Sequence, residues 1–217
     1  MNLFVYIRIL HIACGMTALF VAPAAMLTVK GSQAHRRWGK IYFWAMAIVA
    51  ATAMYMAIYR PIIFLALVAV FSFYFAFRGY RSISRRNLGA DRVDWAAAIL
   101  SLIGSLSLIA LGIHPFAGQF LPAPVVSIIF GLLGVLISAR DIRKFLHPPA
   151  EKNSWLFGHM SGMLGSYIAT VSAFSAVNFI FLPVAIRWLW PSIIGIPGIF
   201  LWVAKYRRAH KAVPAHA

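Results

Sequence analysis

Residues 95–113, WAAAILSLIGSLSLIALGI, run for nineteen positions without a Lys, Arg, Asp, Glu or His. A helix that crosses the hydrocarbon core of a bilayer needs roughly 20 mostly apolar residues. This run meets that requirement, and its serines and glycines suit helix packing within a membrane. Similar runs occupy residues 3–29, 41–59, 61–79, 122–138, 155–181 and 189–205. Together they predict an all-α polytopic transmembrane bundle of about seven helices. The spans leave room for little else: residues 1–206 form one transmembrane domain and 207–217 a short basic tail. Across the 217 residues, 62% are hydrophobic and 11% charged, and the mean hydropathy is +0.83. A chain this apolar belongs in lipid. The first span is too long for a removable signal peptide and runs straight into a basic segment.

The net charge of +16 would suggest nucleic acid in a soluble protein. Here its placement matters more, and it points to no nucleic-acid partner. Lys30, Arg36, Arg37 and Lys40 follow span one. Arg78, Arg81, Arg85, Arg86 and Arg92 lie around the connection from span three to span four. Arg140, Arg143, Lys144 and Lys152 lie between spans five and six, and Lys205, Arg207, Arg208 and Lys211 end the chain. Seventeen of the 20 basic residues thus fall on one side, leaving Arg8, Arg60 and Arg187. The positive-inside rule makes that side cytoplasmic, so the N-terminus is expected outside and the C-terminus in the cytoplasm of a bacterial inner membrane. All four acids, Asp91, Asp94, Asp141 and Glu151, are expected in the cytoplasmic loops. The uncharged connection from His114 to Pro124 and the Arg60-Pro61 turn are expected outside.

Ionisable groups within spans are costly and therefore mark candidate sites. Arg8, His11 and Gly15 share one face of span one. His159, Gly162, Ser166 and Thr170 share one face of span six. A histidine followed at helical spacing by glycine offers an imidazole ligand and room for a flat macrocycle, the pattern of a bis-histidine haem site. Helix packing with a hydrogen-bonded histidine is the commoner use of the same residues. Depth, at about 1.5 Å per residue, pairs His11 with His114 in the outer half and His159 with His35 in the inner half. No converging set of three or four ligands suggests a zinc or copper centre. Cys14 has no second cysteine to pair with. Gly131 with Gly134, Ser101 with Ser105, and Gly195 with Gly198 read as close-packing faces.

Four segments carry a family likeness: HIACGMTA at 11–18, HRRWGKIY at 35–42, HMSGMLGSYIATVSAFSAVN at 159–178 and LWPSIIGIPGIFLWVAKY at 189–206. They resemble the bacterial multi-pass membrane proteins of the domain of unknown function 2306 family or a close relative. The resemblance implies a recurring first-span histidine, His11, and a His-Arg-x-x-Gly segment, His35, Arg36 and Gly39. It brings no established activity.

Three functions compete. One is a membrane redox protein in which His11, His114, His35 and His159 ligate haem b or line a quinone pocket. Another is a small-solute transporter or channel, with Arg8, Arg60 and Arg187 as a cationic outer vestibule and Arg8, Ser166 and Thr170 lining a cavity. The third is a non-catalytic subunit whose basic face meets anionic lipid, with a second copy or another membrane protein as partner.

Overall fold

The computed structural model describes residues 3–114, 124–151 and 153–211, and these form an all-α bundle. Its helices are α1 (Leu3–Leu27), α2 (Gln33–Tyr59), α3 (Ile63–Leu88), α4 (Arg92–Ile113), α5 (Pro124–Leu146), α6 (Ser154–Asn178) and α7 (Val184–Lys211). All seven are long and apolar enough to cross a membrane. Most of the expected outer connection, residues 115–123, lies outside the described residues, as do Lys152 and the tail from 212 onward.

Several helices outrun the apolar stretches that announce them. α2 begins at Gln33 instead of 41, α3 continues to Leu88, α5 to Leu146, and α7 spans 184–211. Hydropathy marks the part of a helix that lipid covers, whereas the helix itself persists as long as its backbone groups find partners. At the start of α2 the Ser32 side chain accepts the His35 amide at 3.2 Å. At the start of α4 Asp91 accepts the Val93 and Asp94 amides, each at 3.0 Å, and the Asp94 carboxylate accepts the Asp91 amide in return. Gly31 and Gly89 turn the chain before these two helices with φ of 79° and 70°, a region that costs a residue with a side chain.

The same extension corrects the placement of two acids. Asp94 lies in the first turn of α4 and Asp141 near the end of α5, and both are buried. They are held inside the basic end of the bundle by arginines and are not loop residues.

α3 sits at the centre and packs on α2, α4, α5 and α6, while α1 packs on α2 and α6. Small residues make the closest approaches. A Cβ on Gly162 would lie 2.6 Å from the Gly79 amide nitrogen, so α3 and α6 cross backbone to backbone. A Cβ on Gly131 would lie 2.7 Å from the Ser105 carbonyl oxygen, and Ser138 donates to Ser101 at 2.9 Å, which joins α4 to α5 along the expected serine and glycine faces. On α7, Gly195 meets the Ile168 side chain, but Gly198 faces open space. Between these seams an aromatic core of Phe64, Phe71, Phe75 and Phe130 fills the bundle, with Trp188 packed against it.

The α4 cap gives a pH prediction. The Asp94 amide, reinforced by the Arg81 guanidinium, holds the Asp91 carboxyl below the usual carboxylate range. A carboxyl whose folded pKa is depressed contributes stability above its unfolded value, about 3.9, and loses it as pH falls through the folded value. Amide exchange at Val93 and Asp94 is therefore expected to accelerate, beyond the intrinsic rate, as pH drops below about 4. Asp91→Ala should abolish this dependence.

Candidate functional site

At the basic end, the end of α1 and the starts of α2 and α6 meet the last turns of α3. The Ser32 cap fixes the first turn of α2 so that the His35 ring turns back to α1, where Nδ1 lies 2.9 Å from the Ala25 carbonyl oxygen. His159, near the start of α6, places its Nδ1 3.0 Å from the Gly79 carbonyl oxygen on α3. The Gly79–Gly162 crossing brings that carbonyl within reach. The two imidazoles stand 6.2 Å apart between centroids, with their planes at 78°.

A carbonyl oxygen only accepts, so Nδ1 is the protonated nitrogen in both rings. In the neutral tautomer each Nε2 then carries a lone pair and is free of hydrogen bonds among the described residues. Metal-ligating histidines are oriented by this kind of second bond. Arg36 and Arg37 are exposed on the same turn of α2 as His35. Lys30 donates to the Met26 carbonyl and lies over the Trp202 ring at 5.7 Å, which ties the α1–α2 turn to α7.

The outer pair is not brought together. The His11 Nδ1 lies 2.9 Å from the Thr52 hydroxyl on α2. That hydroxyl spends its own proton on the Ile48 carbonyl at 2.7 Å, so His11 is the donor. His114 ends α4, which packs on α3 and α5 and not on α1. The gap expected beside His159 is also filled: Gly162 is covered by the α3 backbone.

Ser166 and Thr170 are buried in a packing seam. The Tyr42 hydroxyl donates to Ser166 at 2.8 Å and lies 3.4 Å from Thr170, stitching α2 to α6. Arg8 is exposed on α1. Arg60 stacks over the Phe4 ring at 5.5 Å, and Arg187 donates to the Ala176 carbonyl at 3.3 Å.

Beside the histidines lies a buried ionic cluster that hydropathy alone does not reveal. Arg78 grips Asp141 with two bonds, Nε to Oδ2 at 2.6 Å and Nη2 to Oδ1 at 2.9 Å, and Tyr74 donates to the same carboxylate at 2.9 Å. Arg81 and Arg85 hold Asp94 at 2.9 and 2.7 Å. Arg207 pairs with Glu151 at 3.0 Å, so each of the four acids is paired with arginine. The sequence signal was present in the i, i+4 spacing of Tyr74 and Arg78, which continues the span-three helix into its charged end. Among the described residues no three His, Cys, Asp or Glu converge as a metal cage would need.

Residues 8–96 match the family described as predicted membrane protein (DUF2306). The match runs from α1 into the start of α4 and takes in His11, His35, Arg36 and Gly39, the positions expected from the resemblance, as well as Gly79. No curated protein and no solved structure matches the chain. Its multi-pass membrane character thus rests on the DUF2306 match and on the seven apolar helices.

Proposed function

We propose that this chain is a haem-linked redox protein of a bacterial inner membrane, in which His35 and His159 would hold the haem iron, with the basic end in the cytoplasm. The observation that carries the reading is the paired tautomer: two imidazoles 6.2 Å apart, each with Nδ1 held by a backbone carbonyl and Nε2 left over. Two protein ligands are too few for a structural zinc, which takes four. A haem iron takes four ligands from its macrocycle and needs only two imidazoles. Haem bound there would supply one-electron transfer. The protein's own part would be to fix both rings through their carbonyl bonds and to offset propionate charge with the exposed Arg36 and Arg37.

Titrating haem b into the purified protein is expected to saturate at one per chain. His35→Leu and His159→Leu should each weaken binding by at least about tenfold, and His11→Leu should leave it unchanged. Equal affinity in all four proteins would overturn the assignment. The orientation follows from the side that carries the basic residues. Reporter fusions after Lys40, Arg86 and Lys211 should read cytoplasmic, and fusions at Arg60 and Arg187 external. An external reading after Lys211 would reverse it.

A further inference from the structure

On the side of α3 away from α6, a groove of about 350 Å³ opens between α2 and α4. Its floor is Val70, Phe73 and Phe77 of α3, and its walls include Ala50 of α2 and Ala97 of α4. The lining is apolar almost throughout, because the Tyr74 hydroxyl at its edge is turned inward to Asp141. From Ala69 to Phe77 the floor is about 12 Å long at the helical rise. A channel of this shape accepts a hydrocarbon chain and offers nothing to a polar head.

The charge lies at one end. The groove reaches Val93, in the first turn of α4 next to Arg92. Near that end Arg81, Arg85 and Arg92 stand against Asp91 and Asp94. Arg81 and Arg85 are spent on those carboxylates, and Arg86 stacks over Trp155. Arg92 is exposed and has no ion-pair partner among the described residues. The geometry points to a specific site for an anionic glycerophospholipid, with one acyl chain in the α2–α3–α4 groove and the headgroup phosphate on Arg92. This goes beyond general contact with the bilayer, since small residues on both walls keep the channel open and one cation at its mouth selects the head.

The test is lipid retention by the full chain, read by native mass spectrometry after equilibration with phosphatidylglycerol or phosphatidylcholine of identical chains. The parent is expected to retain phosphatidylglycerol roughly fivefold better. Arg92→Gln should remove that preference. Ala97→Phe and Ala50→Phe, which block the channel from opposite walls, should each abolish retention of either lipid while helix content and melting stay at the parent's values. Two blocking variants are used so that one remains decisive if the other misfolds. Equal retention of the two lipids by the parent, undiminished retention in a folded blocking variant, or displacement by an equimolar free fatty acid would each overturn the site.

Discussion

Asp141→Asn is expected to destabilise the bundle by about 3–5 kcal/mol, the cost of leaving a buried charge without its partner. The Arg78 and Asp141 side chains are only 7% and 4% exposed, so water cannot replace the lost carboxylate. The same change weakens the Tyr74 bond and frees an arginine that also holds Ser161 at 3.3 Å. Because an apolar pair of similar volume avoids the desolvation cost, Arg78→Met combined with Asp141→Leu should recover most of the loss. Denaturant unfolding in mild detergent, with helix content as the readout, checks both variants. A single variant as stable as the parent would mean that water reaches this pair.

The second large effect is steric. Gly162→Ala places a methyl group against the Gly79 backbone, and a backbone cannot rotate away as a side chain can. The helices must separate by about an ångström to reach ordinary contact, at about 1–3 kcal/mol or more for overpacking of this kind, and Gly162→Leu should prevent assembly. The displacement also pulls the Gly79 carbonyl from His159. The loss of stability should therefore be accompanied by weaker haem binding. Gly198→Ala, whose Cβ would meet nothing within 4 Å, is the control and should be neutral or slightly stabilising. Unchanged melting in Gly162→Ala would contradict the backbone-to-backbone crossing.

The seven helices were legible in the sequence because the cost of polar groups in lipid writes long uncharged runs into it. Their ends were not. Ser32, Asp91 and the arginine–aspartate pairs carry the helices past the point where hydropathy stops, which is why hydropathy alone places Asp94 and Asp141 in loops. In the candidate site, depth along the helices was enough to match His35 with His159. It could not show that α1 and α4 lie apart, because helix adjacency depends on which small faces interlock. In sequence Gly162 offers space for a ligand, whereas Gly79 on α3 fills that space; one glycine does not reveal its partner. Arg78 reads in sequence as a topology signal, since a positive charge at a membrane edge usually is one.

Whether His35 and His159 jointly hold one haem iron is decided by the spin state of the haem-loaded protein. Two imidazole ligands give a six-coordinate low-spin iron. The parent is predicted to be low-spin in its absorption and paramagnetic resonance spectra, and His35→Ala and His159→Ala should each convert it to high-spin or lose it. Low-spin haem that persists in both variants, or a parent that binds no haem under loading, would contradict the assignment of His35 and His159.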